Sequence, residues 1–563
     1  VATAGAGILA LDSGVAVAAH PASANLDTQL IWTESYTGDH LPFAYSSPVM
    51  AELPNGPGVV AGDRSGHVYA VYLAPGSKGG PITAWTVTTR GPNGPEGVDS
   101  SPSTENGVVY FGIGWVGTRG VGGYEAVNSN GSRKWFQLAV NPPTDPTPDA
   151  GVGAGLTIGI LQAQAAVIGP SLGQNTYVFN AASGARLVGF PWYQADTNFS
   201  TAAIADVEGN GQNQIIEGGN TSAGVGYGTT YVDGGQIRIL RETGNTGGKP
   251  NSGLDCEYQT DQGIDSSPAV GNIFSGKPGI VVGTSTERPD LATTDDLIAI
   301  DNACHKMWET TLDGATTSSP ALADVLGNGQ LQAVEGTEGG YVYALNASNG
   351  SVYWKTKVAG EVVGGVVTVD LGTGYQDVIV PSTSGAFILD GRTGAIVKTL
   401  EDTVGLQNSP LVTHDPNGTI GITVAGYSGA GGASHAVMEH FEVAGSNGSG
   451  VNEAGAWPEF HHDAQLSGNA NVPTADNLAI TTKSLPSGTV GTPYHATVAA
   501  SGGVSPYVWS RTGGTRPPGL SFGTNGTWSG TPTASGTYRF PIQVTDGRLT
   551  ETTTTFTIAI AAR

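Results

Sequence analysis

Charge is what this sequence has least of. Only 12% of its 563 residues are Asp, Glu, Lys or Arg; 47 are acidic and 23 basic, for a formal net charge of −24. The summed field repels polyanions, which excludes nucleic acid and anionic membrane surfaces as partners. Cations, neutral glycans and proteins stay open. Beyond the first two dozen residues no apolar run is long enough to cross a membrane, and no long amphipathic helix is visible. In their place stand 87 glycines among Ser, Thr and short Val- and Tyr-rich runs, the composition of a turn-rich all-β chain. Cysteine is reduced to two residues, Cys256 and Cys304.

Catalytic signatures are scarce as well. There is no G-x-S-x-G nucleophile elbow, no H-E-x-x-H and no Walker loop. The one tight His/carboxylate cluster is His461-His462-Asp463. It follows Trp457-Pro458-Glu459-Phe460 and reads as a segment packing back on the body of the protein.

What is present in quantity is a repeat. From Ser318 to Trp354, SSPALADVLGNGQLQAVEGTEGGYVYALNASNGSVYW is four short apolar runs separated by Gly and Asn-Gly turns, the pattern of an up-and-down four-stranded antiparallel sheet. One such sheet cannot bury both of its faces, so copies must stack. Aligned on Pro320, they start at Pro48, Pro102, about Gly155, Ala202, Pro268, Pro320, about Val366 and Pro410, roughly 44–66 residues apart. That spacing suits propeller blades. An aromatic recurs on the outermost strand at Trp85, Trp135, Tyr258, Trp308 and Trp354. The last copy supplies three strands, whereas an orphan strand around Trp32 precedes the first. The N-terminal strand is therefore expected to complete the last blade and remove the free edges. The expectation is an eight-bladed propeller, with seven blades and a degenerate unit as the alternative.

YVYALNASNGSVYW is similar to the repeat of quinoprotein-dehydrogenase-like (PQQ-like) propellers. ADVEGNGQNQII at 205–216, ADVLGNGQLQAV at 323–334 and VDLGTGYQDVIV at 369–380 resemble FG-GAP (VCBS-type) repeats. Both resemblances imply a propeller over about residues 30–463, and neither fixes an activity. A PQQ dehydrogenase implies an adjacent cysteine pair beside its cofactor; none is here, so PQQ is not expected. FG-GAP units that bind Ca²⁺ do so through a D-x-D-x-D-G loop, which makes Asp206, Glu208 and Asn210 candidate ligands. The alternative reading of the same positions is Asn-Gly turns that happen to carry an Asp. GTPY at 491–494, PPGLSF at 517–522, SGTP at 529–532 and VTDG at 544–547 resemble the He_PIG (Ig-like, cadherin-like) domain, implying a small β-sandwich held by Trp509, Trp528 and Tyr538.

The domain reading follows: a signal-peptide-like leader at 1–24 ending in Ala22-Ser23-Ala24, its apolar run broken by Asp12; a propeller at 25–463; a polar linker at 464–477; and the sandwich at 478–563. Cys256 and Cys304 fall on neighbouring blades near the same strand, so a disulfide stapling the two blades is expected, against two separate buried thiols. With the leader, this points to a secreted, oxidising location.

Loops entering the innermost strands and loops joining second to third strands meet on one rim. They gather Asp99, Asn198, Asp265, Glu361 and Gln407 with Asp63, Arg64, Trp115, Arg119, Glu287, Arg288, Asp290 and Tyr427. Carboxylates, arginines and aromatics on a concave rim suit a sugar or peptide site. Asp99 and Asp265, each before Ser-Ser-Pro, also fit a plainer role, accepting a backbone N–H to fix the turn. The function expected is an extracellular binding or adhesion protein, of bacterial type, recognising a polysaccharide or a surface protein, with the Ig-like domain as spacer or attachment module. The alternative is a secreted glycoside hydrolase or polysaccharide lyase using Asp99 and Asp265 as its acid/base pair, with Arg119 or Arg288 on an acidic sugar. A third reading is a scaffold.

Overall fold

Short runs bounded by Gly and Asn-Gly turns can satisfy their backbone groups only by pairing with their sequence neighbours. The computed structural model shows this pairing. It describes residues 26–37, 41–91, 94–114, 122–140, 151–194, 196–226, 229–247, 249–285, 294–401, 403–428, 434–444, 446, 456–471, 478–501, 507–545 and 551–563. In the stretch that is clearest in the sequence, Ala321–Ala323, Gln332–Gly336, Tyr341–Asn346 and Val352–Lys357 form one antiparallel sheet in chain order. Seven further antiparallel sheets, six of four strands and one of five, lie between Thr28 and Val443 among the described residues. They are referred to below as the first to eighth in chain order of their inner strands, which begin at Val49, Ser103, Thr157, Ala203, Ala269, Ala321, Val367 and Leu411. Each inner strand touches the next, and the eighth touches the first.

The eighth sheet is closed by the N-terminal strand. Thr28–Tyr36 pairs antiparallel with His435–Val443, with Trp32 opposite His440. Trp32 then repeats what other outer-strand tryptophans do. Its Nε1 donates to the Leu73 carbonyl of the first sheet at 3.0 Å. Trp85 donates to Ser129, Trp135 to Ala181, Trp308 to Ala347 and Trp354 to Gly391, each in the following sheet, at 2.7–2.9 Å. The indole lies against a glycine in the turn before that sheet's outer strand, as Trp85 lies against Gly131 at φ 78°. Only a residue without Cβ tolerates both that φ and that contact.

This corrects one expectation. The tryptophans sit opposite an alanine just before a break in register, Trp85 opposite Ala70 and Trp308 opposite Ala299. In the fourth sheet that place, opposite Ile239, belongs to Cys256 and not to Tyr258. Its partner Cys304 takes the glycine's place in the next turn, with φ 60°, and the two are disulfide-bonded with Cα atoms 5.8 Å apart. A covalent bond thus stands where other junctions dock a tryptophan. Replacing both cysteines by alanine should cost about 2–4 kcal/mol. A denaturation midpoint that does not move would show the bond to be dispensable.

The segment read as a linker after Asp463 is bonded into the propeller as far as Asn471; residues 472–477 lie outside the described residues. From Trp457 to Gly468 its carbonyls accept the N–H groups of Thr368, Val412, Thr104, Ile158, Ile204 and Val270, at 2.7–2.9 Å. Those donors belong to the inner strands of six sheets. The side chains of Trp457, His461, His462 and Leu466 are 2% exposed or less, so they fill the channel. Both His461 nitrogens face carbonyls, Nδ1 that of Leu466 at 2.7 Å and Nε2 that of Pro268 at 2.9 Å. Burial holds its pKa below the ordinary value against the pull of those carbonyls. The cluster is a plug, as its aromatic approach suggested.

Beyond it, Thr527–Gly530 pairs with both Tyr494–Thr497 and Leu520–Phe522 in one sheet, while Gly536–Thr545 and Glu551–Ala561 are central to a second. Trp528 is fully buried between Phe522 and Phe540, with ring centroids 4.9 and 4.8 Å away. Trp509 is buried in the same core, and Tyr538 is half-buried against it.

Candidate functional site

The Ser-Ser-Pro signature builds the site. Its first hydroxyl ties an inner strand to the second strand of its own sheet: Ser46 accepts from Gly62 N, Ser100 from Gly112 N and Ser266 from Gly283 N. Its second hydroxyl ties one sheet to the next. Ser101 accepts from Ser47 N, Thr201 from Gly155 N, Ser267 from Thr201 N, Ser319 from Ser267 N and Ser47 from Ser409 N, all at 2.8–3.1 Å. A ring of buried hydroxyls thereby sets the register between neighbouring sheets. Such bonds are short and directional, so the residues just outside the ring are held in place.

Two residues before each ring position the chain reaches the rim. Tyr45, Asp99, Gly153, Phe199, Asp265, Thr317, Val363 and Gln407 occupy that place in the eight sheets, and all eight line one cavity of about 460 Å³. Glu338, Glu361 and Arg64 join its wall, and Phe460 of the plug reaches it too.

Arg64 is the organising charge. Its Nε and Nη2 donate to the two Asp99 oxygens at 2.8 and 3.1 Å, and its guanidinium lies 5.1 Å from the centroid of the Tyr45 ring. Burial works against its charge, but Asp99 and Tyr45 together hold its pKa above the ordinary value. Burial also raises the Tyr45 phenol, with Arg64 opposing. Tyr45 is 45% exposed, an aromatic face backed by a rigid ion pair. Across the wall the Thr317 hydroxyl donates to Glu338 at 3.1 Å.

Arg64, Asp99, Asp265, Glu361 and Gln407 therefore come together as the sequence suggested. Asp63, Asn198 and Tyr427 do not join them. Asp63 is fully buried, and its carboxylate accepts from Ser65 N, His67 N and the Tyr69 hydroxyl. Asn198 is spent on Ser200 N and the Gly218 carbonyl. Tyr427 pairs through its backbone with Gly405. Trp115, Arg119, Glu287, Arg288 and Asp290 lie outside the described residues, as does the 1–24 leader. The sequence reading passed over Tyr45, Phe199, Thr317 and Phe460. The first three had a usable signal, since each stands in the same place before its Ser or Thr pair as Asp99 does. Phe460 had none, because it arrives from outside the repeats.

The candidate calcium loop closes on itself. Asp206 accepts from Asn210 N at 3.0 Å and Gly211 N at 2.7 Å, and Glu208 accepts from the Asn210 amide at 2.6 Å. The loop at Asp324, with Leu326 in place of the Glu, makes the same two backbone bonds. Turn chemistry alone accounts for the geometry. Among the described residues, no group of three or more His, Cys, Asp or Glu is placed to hold a metal ion. Among them, too, no helix is long and apolar enough to cross a membrane.

Similarity to known proteins speaks to the fold. The V. cholerae biofilm matrix protein Bap1 is 12% identical, with a TM-score of 0.53 over 80% of this chain and 97% of that one. Saccharomyces cerevisiae Sqt1 is 13% identical, with a TM-score of 0.51 over 74% and 100%. BamB from Moraxella catarrhalis is 15% identical over 73% and 100%, with a TM-score of 0.46. No curated protein sequence matches the chain. Residues 477–561 match the He_PIG family, described as "Putative Ig domain". The chain is an all-β protein in which a β-propeller precedes an Ig-like domain that matches the He_PIG family.

Proposed function

We propose that this is an extracellular binding protein whose eight sheets are the blades of one propeller and whose cup, at the rim end of the channel, recognises a glycan. The Ig-like domain is its spacer or attachment module. The observation that carries the reading is the exposed Tyr45 face backed by the Arg64–Asp99 pair on the wall of a 460 Å³ cavity. That volume lies in the range of small-ligand sites, about 300–1,000 Å³. Sugar rings stack on an aromatic face and donate hydroxyls to fixed carboxylates. The Cys256–Cys304 bond fits an oxidising compartment.

The hydrolase alternative is less well supported. Asp99 is clasped by Arg64 at both oxygens, and a general acid must be free to carry a proton. Asp99 and Asp265 also stand three places apart around the ring, with Gly153 and Phe199 between them. Incubating the protein with a glycan array and assaying the supernatant for reducing ends and unsaturated products separates the readings. Retention without product is expected; steady release of product would establish an enzyme.

A further inference from the structure

The cup has a floor. Thr104, Ile158, Ile204, Val270, Thr368 and Val412, whose N–H groups hold the plug, each stand three residues after a position of the hydroxyl ring. The plug closes the channel directly beneath that ring: Nε2 of His461 lies 2.9 Å from the Pro268 carbonyl, one residue after Ser267, and the Leu466 side chain packs against Gly155. Its buried side chains fill the channel there, and Phe460 faces the cavity from it. A polymer cannot thread such a channel.

From this we infer that the site recognises glycan ends: the terminal unit of a chain or branch enters the cup, stacks near Tyr45 and meets Phe460, while the rest of the polymer remains outside. The inference rests on the glycan reading above and adds what part of the glycan is read. It also sets the charge of that unit. The Arg64 guanidinium is already engaged bidentately by Asp99, and the wall carries Glu338 and Glu361. An acidic terminal sugar would meet like charge with no uncommitted arginine among the described residues lining the cavity. The unit taken carries no negative charge.

The test offers dextran, pullulan, xylan and mannan as soluble competitors, each intact and after partial hydrolysis to fragments with about ten times as many ends, at equal mass. End recognition predicts that hydrolysis improves competition by roughly tenfold for any polymer bound. Phe460→Ala should weaken the bound fragment at least tenfold. Should that variant fail to fold, the comparison on the unmodified protein still decides. Equal competition per unit mass before and after hydrolysis would overturn end recognition while leaving the glycan reading in place. Binding to none of the four, intact or cut, would overturn both.

Discussion

Trp32→Ala is expected to destabilise the protein by about 3–5 kcal/mol, the range for truncating a buried tryptophan. Trp32 is 3% exposed and does three things at the seam of the ring. It donates to the Leu73 carbonyl at 3.0 Å and so joins the eighth sheet to the first. It stacks on His440 with ring centroids 5.3 Å apart. Through His440 it covers a buried chain in which one imidazole nitrogen faces Asp415 and the other Thr423, both at 2.9 Å. Truncation leaves a cavity, an orphan carbonyl and an uncovered polar chain at once. Tyr353→Ala is the control, because that ring is 44% exposed and its loss should stay within about 0.5 kcal/mol. Chemical denaturation of both variants reads the difference. A Trp32→Ala loss no larger than the control's would mean that the N-terminal strand does not close the ring.

Stability should fall as pH rises from about 4 to 8, and Glu335 and Asp377 should carry the largest shares. Its side chain is fully buried beside the Ser318 hydroxyl and the Gly336 N–H, and burial pushes its pKa up from 4.5 to about 8. Burial likewise raises Asp377 to about 8, helped by Asp390, and Glu439 to about 7, helped by Glu401. Each group binds its proton more tightly folded than unfolded. Below the ordinary values of 3.8 for Asp377 and 4.5 for the two glutamates both states are protonated and there is no penalty. Between there and pH 8 the unfolded chain ionises first, and stability drains away. For Glu335 a rise from 4.5 to about 8 corresponds to roughly 5 kcal/mol at 1.36 kcal/mol per pH unit. Glu335→Gln should remove most of that share, so the variant gains on the parent at pH 9 by several kcal/mol and much less at pH 4.5. Denaturant titrations at the two pH values measure the gain. Equal gains at both would show that Glu335 does not titrate in this range.

The frame was legible because it is built from local rules. Turns rich in Gly and Asn separate strands that can pair only with their neighbours, and the Trp32 spacing pointed to the closing strand. Half of the cup was legible for the same reason. Asp99 and Asp265 stand before their Ser pairs and Gln407 before Asn408-Ser409, and the regularity that found them also covered Tyr45 and Phe199. Attention to charged and amide side chains selected Asn198, whose amide is consumed by its own turn, instead of the phenylalanine beside it. Asp63 was misread because a carboxylate at a rim turn looks the same in sequence whether it faces solvent or caps its own loop. The part of the plug after Asp463 was not legible. Ala464 to Asn471 is polar and Gly-containing like a linker, and only the inward-facing N–H groups of four inner strands give it a place. Its sequence states nothing of those partners.

The central claim is that the cup binds the glycan. Its most direct test is titration calorimetry on whichever oligosaccharide the array retains, comparing the unmodified protein with Tyr45→Ala and Arg64→Ala, and with Lys398→Ala on an outer strand as the control. The account predicts that Tyr45→Ala and Arg64→Ala each weaken binding at least tenfold and that Lys398→Ala leaves it unchanged. Unchanged affinity in both cup variants would contradict it and place recognition elsewhere on the chain.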